Sequence, residues 1–159
     1  MEPEDLDLLY RIENDPELWG IGVTNVPYSR YVLRDYIARS SGDAYTDGQV
    51  RLIVENRKNE VVGIVDLVNF DARNRKAEIS IVIESRYRHK GFATDAINLV
   101  ADYGRRVLHL HQIYAIIDTL NSSSLQLFRQ LNFLESNHLP EWLYDGEEYH
   151  DAILMHKVL

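Results

Sequence analysis

Apolar positions along this 159-residue chain follow two spacings, about 3.6 residues and two residues, and the changes between them mark the elements. Leu6, Leu9, Tyr10 and Ile12 predict a first helix over roughly 3–14, ended by Asp15-Pro16 because proline cannot continue a helix. Trp19 to Pro27 reads as loop. Ser29 is the expected N-cap of a second helix with Val32, Leu33, Tyr36 and Ile37 on its apolar face. Ser40-Ser41-Gly42-Asp43 stops that helix, and the polar stretch to Gly48 reads as loop. Val50–Glu55, Val61–Phe70 and Ala77–Ile83 are β-branched, apolar runs joined by short polar connections, which predicts three antiparallel neighbours. Ala93, Ala96, Ile97, Val100, Ala101, Gly104, Val107 and Leu108 form the stripe of a long helix from about Gly91 to Leu108. Ile113–Ile117 reads as a buried strand, and Leu125, Phe128 and Leu131 as a short helix. Trp142–Tyr144 and Tyr149–Met155 flank Asp145-Gly146, a hairpin turn signal. The order α-α-β-β-β-α-β-α-β-β predicts an α/β fold of the α+β kind, a mixed sheet with helices on its faces. One domain over 1–159 is expected, since no repeat, linker or low-complexity stretch interrupts it.

Composition narrows the possible chemistry. There is no cysteine, which excludes disulfides, thiolate metal ligands and a cysteine nucleophile. Six histidines lack any metal-ligand spacing, so no metal is expected. No apolar run approaches the roughly 20 residues that span a bilayer, and the acidic start is unlike a secretory signal, so a cytoplasmic protein with no membrane partner is expected. A net charge of −8 argues against a nucleic-acid partner and suits either a cationic substrate or plain solubility.

Against that negative charge, Arg86, Arg88 and Lys90 crowd the start of the long helix. A helix N-terminus carries unpaired N–H groups and partial positive charge, so cations there are disfavoured unless an anion joins them. In Arg88-His89-Lys90-Gly91-Phe92-Ala93-Thr94 a glycine permits close backbone approach, an alanine keeps the first turn slim, and Thr94 offers a hydroxyl. These are the properties of an anion cradle, with a basic surface loop carrying an incidental glycine as the alternative reading.

Arg88-x-x-Gly91-x-Ala93 resembles the Q/R-x-x-G-x-G/A signature of the GNAT family of N-acetyltransferases. Asp118-x-x-Asn121-x-x-Ser124-x-x-x-Phe128-x-x-x-Asn132-Phe133 resembles the family's second segment, in the right order and spacing. The run from Arg51 to Met155 is most similar to spermidine N-acetyltransferases, with ribosomal-protein N-acetyltransferases also near. The resemblance implies a GNAT-like fold, acetyl-CoA as cofactor, and direct attack of an amine on its thioester. Family members usually open with a strand before the first helix; this chain starts at the helix, so that strand is expected to be missing, and a homodimer or higher oligomer could cover the edge.

By the same resemblance, Ile81, Val82 and Ile83 would pair with the pantetheine arm, Arg88 to Thr94 would hold the pyrophosphate, and Asn121, Ser124 and Phe128 would complete the cofactor site. The acceptor would be a primary amine, either a polyamine such as spermidine or a protein N-terminus. Its ammonium must lose a proton, and Glu78 is the lead base, with Asp66 behind it; Glu141, near the C-terminal hairpin, could face the acceptor. Two departures stand out. Phe128 occupies a position where the family usually has a tyrosine acid, leaving Ser124 or Tyr87 as substitute donors, and suggesting as an alternative a non-catalytic coenzyme A-binding module. Gly20 to Pro27 lacks the carboxylates that spermidine enzymes carry there. Trp142, Tyr144 and Tyr149 are expected either to line an acceptor pocket or to pack on the core or a partner.

Overall fold

A computed structural model describes residues 1–15, 27–40 and 43–159. Helix α1 covers Leu6–Glu13, preceded by a 3-10 turn at Pro3–Asp5. Helix α2 covers Arg30–Arg39, and Ser29 caps it by accepting from the Val32 amide. A short helix α3, Ala44–Asp47, replaces part of the expected loop; Asp43 caps it and Gly48 ends it at φ +69°. Strands β1 (Gln49–Glu55), β2 (Val61–Asp71) and β3 (Lys76–Ile83) form the antiparallel meander. Helix α4 (Phe92–Arg106) crosses over to β4 (Gln112–Asp118), which pairs parallel to β3. Helix α5 (Ser122–Gln130) leads to the hairpin β5 (Leu134–Tyr144) and β6 (Tyr149–Val158). Spatial order is β1-β2-β3-β4-β6-β5, so the hairpin turns β6 inward against β4. Among the described residues β1 is one edge strand and no strand precedes α1.

Alternation along the strands divides the apolar residues between two cores. On one face Val65, Leu67, Ala77, Ile79, Ile113, Ala115, Ile117 and Met155 pack against Ile97, Val100 and Ala101 of α4 and Leu125 and Phe128 of α5. On the other, Ile64 packs with Leu8, Leu9, Ile12 and Leu33 from α1 and α2, and Val82 borders that cluster. Two expected stripe residues are displaced: Val32 is 47% and Val107 57% exposed. Val32 lies in the first turn of α2, and Val107 is already the C-cap of α4, so neither faces a packed layer.

A polar network ties the second core to the sheet. Arg51 on β1 makes a two-pronged ion pair with Asp66 on β2, both distances 2.8 Å, and also meets Glu13 of α1. Tyr36 of α2 lies beside the guanidinium, and burial pushes its hydroxyl pKa up. Removing one member leaves a partly buried carboxylate without its cation, which in a fully buried pair costs roughly 3–5 kcal/mol. These side chains are 15–22% exposed, so Arg51→Met is expected to lose about 2 kcal/mol, less than that limit, in urea unfolding with an unchanged slope.

Candidate acetyl-transfer site

Strands β3 and β4 pair through three rungs, Lys76 with Gln112, Ala77 with Ile113, and Glu78 with Tyr114. Beyond the last rung β3 continues to Ile83 and β4 to Asp118 without pairing to each other. The sheet therefore splits into a wedge, and the β4-facing backbone of Ile79–Ile83 is left without a neighbouring strand. Five free residues at about 3.3 Å each make a track roughly 16 Å long. Such an edge pairs readily with an extended chain bearing amide groups.

The track runs into the loop before α4. His89 and Gly91 both take left-handed backbone conformations, at φ +59° and +87°. A side chain on Gly91 would meet nothing within 4 Å, so its conformation, rather than crowding by the protein, calls for glycine. The first helical bond of α4 runs from the Asp95 amide to the Gly91 carbonyl, and no side chain caps this end. The Phe92, Ala93 and Thr94 amides thus lack intrahelical acceptors and point out of the helix start. The groups fit an anionic pyrophosphate, since these donors gather where the helix dipole is positive.

The cations are arranged differently from the reading of a bare positive cluster. Arg86 pairs with Glu84 at 2.9 Å, and the other oxygen of Glu84 pairs with Arg11 of α1. Lys90 donates to the Arg86 carbonyl, and Arg88 uses Nε on the Ile83 carbonyl at 3.0 Å. Arg86 and Lys90 also lie over the Tyr87 ring, whose edge meets Phe92. These contacts brace the loop, and the backbone amides at the start of α4 remain as the uncapped donors there. A cavity of about 280 Å³ opens beside the loop, lined by Arg11, Asp15, Glu84 and Arg88 among others.

At the apex of the wedge, Glu78 receives a hydrogen bond from Asn69 Nδ2 at 2.9 Å. It shares the sheet face of Asp66, but Asp66 is committed to Arg51. Glu141 is exposed at φ +49° with its amide held by Asp151, out on the hairpin. Asn121 caps α5 by accepting from the Ser124 amide at 3.1 Å. Phe128 is 3% exposed, its ring edge-on to Phe133 at 4.8 Å. Phe133 N–H bonds Phe128 O and Asn132 N–H bonds Arg129 O, with Asn132 at φ +63°, which together form a Schellman stop whose apolar contact is that ring pair. The ring pair is a contact that the motif spacing does not show. Trp142, Tyr144 and Tyr149 are exposed by more than half, so they do not pack on the core.

One of the histidines that look scattered along the chain, His150, is gathered by the fold with acidic residues. His150 meets Asp145 at 2.9 Å and lies 3.9 Å from Asp118. Ligand atoms of Asp145, Glu148 and His150 fall within 4.8 Å of one another. Asp145 also accepts from the Glu147 and Glu148 amides, so the group is built into the hairpin turn. Those backbone bonds and His150 lower the Asp145 pKa to about 2, while the hydrogen bond to Asp145 raises that of His150. The Asp145 contribution is complete above its ordinary 3.8 and lost as pH falls through about 2; that of His150 is complete below 6.5 and lost as pH rises through its raised value. The turn is expected to be tightest between about pH 4 and 6.5, read as slowest intrinsic-rate-corrected amide exchange at Glu147 and Glu148.

The family model of the acetyltransferase (GNAT) domain matches residues 1–134. The chain belongs to the GNAT acetyltransferases. Spermidine N(1)-acetyltransferase of Escherichia coli (strain K12) is 31% identical over 156 residues, covering 98% of this chain and 81% of that protein. A putative ribosomal N-acetyltransferase of Bacillus subtilis (strain 168) is 30% identical over 91 residues, 57% of this chain and 50% of that protein. Among solved structures, spermidine N-acetyltransferase from Vibrio cholerae in complex with CoA and spermine superposes with a TM-score of 0.90 at 25% identity, covering 99% of this chain and 92% of that one. The protein is an acetyl-CoA-dependent N-acetyltransferase of this GNAT fold, which sets aside the non-catalytic module. No described helix is long and apolar enough to cross a membrane.

Proposed function

We propose that this acetyltransferase modifies a polyamine of the spermidine type, with Glu78 as the base. The observation that carries the reading is a set of carboxylates on one side of the sheet: Glu78 at the wedge apex, Asp66 on the same sheet face and Glu13 at the end of α1 over that face, with Arg51 offsetting one of their charges. A multiply charged cation gains from such a wall, and one of its nitrogens can then lie next to a carboxylate able to take its proton. The spermidine acetyltransferase relatives support the same substrate class. Of Gly20 to Pro27, the segment expected to lack acceptor carboxylates, all but Pro27 lie outside the described residues.

In this reading the free edge of Ile81, Val82 and Ile83 pairs with the pantetheine arm. The amides of Phe92, Ala93 and Thr94, with His89, Lys90 and Arg88 around them, hold the pyrophosphate, and Asn121, Ser124 and the buried Phe128 close the site from α5. Acetyl-CoA supplies an activated acetyl thioester. Glu78, held by Asn69, removes the proton that keeps the amine from attacking. A thiolate of pKa about 8.5 is a tolerable leaving group, so a chain with phenylalanine at 128 can still turn over. Ser124, half-buried in the first turn of α5, and Tyr87, braced in the loop, are the donors available to assist.

The test is release of free thiol from acetyl-CoA across a panel of spermidine, spermine, monoamines and peptides with free N-termini. Polyamines are expected to give the highest kcat/KM. Preference for a peptide amine would move the substrate class to the protein acetyltransferases.

A further inference from the structure

We infer that Tyr114 and the open sheet face beside it form the exit path for the proton taken up by Glu78. The inference rests on the assignment of Glu78 as base. Tyr114 is the residue opposite Glu78 in the last rung before β3 and β4 part, so the two side chains lie on one face. Asn69 Nδ2 occupies Glu78 Oε2, and Tyr114 faces the same residue from β4. Burial first, then the Glu78 charge, raises the Tyr114 pKa, so the phenol keeps its proton and serves as a neutral carrier.

On its far side Tyr114 lines a concavity of about 500 Å³ with Lys76, Gln112, Ser136, Leu154 and His156. This is the half of the sheet face that α1 and α2 leave bare; their core reaches Ile53, Ile64 and Val82 on the first three strands. His156 pairs with Tyr114 across β4 and β6, and its Nδ1 contacts Ser136 Oγ. The charged and titratable groups around the phenol are Glu78 and Lys76 on β3, Asp71 at the end of β2, and His156 on β6. Lys76, Gln112, Ser136 and His156 bring polar groups to a concavity large enough for several waters.

The transfer conserves protons. An ammonium N–H bond breaks as an O–H bond forms on Glu78. Glu78 then passes that proton to the Tyr114 oxygen while Tyr114 releases its own to water in the concavity, and His156 accepts it or bulk water does. The base returns to its carboxylate form without sending a proton back through the wedge, which cofactor and amine fill during reaction.

Tyr114→Phe keeps the ring and removes the carrier. At pH 7, kcat with acetyl-CoA and the amine that turns over best is expected to fall about tenfold or more. Affinity for coenzyme A by calorimetry is expected to stay within twofold. Added imidazole, small enough to enter the concavity, is expected to restore a saturable part of the rate in Tyr114→Phe and not in wild type. A kcat within twofold of wild type, or a loss that imidazole leaves untouched, overturns the relay. Glu78→Gln run alongside separates the two ideas: if it collapses kcat while Tyr114→Phe does not, the base stands and the relay falls; if Glu78→Gln has wild-type kcat, the base assignment itself fails.

Discussion

Glu78→Gln is expected to lower kcat by about 10²–10⁴-fold, the usual worth of a positioned general base, with coenzyme A affinity unchanged. The amide is close in size and still meets Asn69, so packing at the wedge apex is retained. A loss of this size in kcat and in kcat/KM together marks an interaction made on the way to the transition state. Asp66→Asn is the informative contrast. Asp66 is saturated by Arg51, so its amide variant is expected to lower stability and leave kcat far less affected. Steady-state rates and urea unfolding of the two variants distinguish these outcomes.

The second large effect is expected at Gly91. A β-branched residue at φ +87° is strained by roughly 1–3 kcal/mol, and relief of that strain turns the Phe92–Thr94 amides away from their common focus. Gly91→Val is therefore expected to weaken coenzyme A binding by about 10–100-fold, read by calorimetry, while Gly91→Ala has a smaller effect. The helix behind it is anchored by Ala96, Ile97, Val100 and Ala101 in the main core, so the fold survives. An acetyl-CoA KM that rises well beyond any fall in saturated kcat is the expected kinetic signature.

Periodicity made the layers legible, because α4 and the strands β2, β3 and β4 have long, consistent apolar patterns. It served less well where burial is weak. The first half of β5, Leu134 to Pro140, is mostly polar and exposed, so it carried no strand signal and was revealed by pairing with β6. Proline is tolerated there because β5 is an edge. The loop motif pointed to a candidate anion site at the start of α4, since a glycine at a helix start has a direct physical meaning. It did not show that Glu84 bridges Arg11 and Arg86, because that contact joins residues 73 positions apart. The wedge was equally invisible. Nothing in Ile79–Ile83 or Ala115–Asp118 distinguishes strands that part from strands that pair, and the separation appears only as an end to the β3–β4 register. Tyr114 was hidden for the same reason: its meaning comes from facing Glu78 across the last rung.

The account turns on one geometric claim, that the free edge of β3 and the uncapped start of α4 together receive acetyl-CoA. Amide hydrogen exchange with and without coenzyme A tests it directly. Protection is predicted at Ile79–Ile83, where the wedge leaves backbone donors unpaired, and at Gly91–Thr94, with little change in β1 or in the β5–β6 turn. Tight coenzyme A binding that leaves both segments exchanging as before would contradict the account.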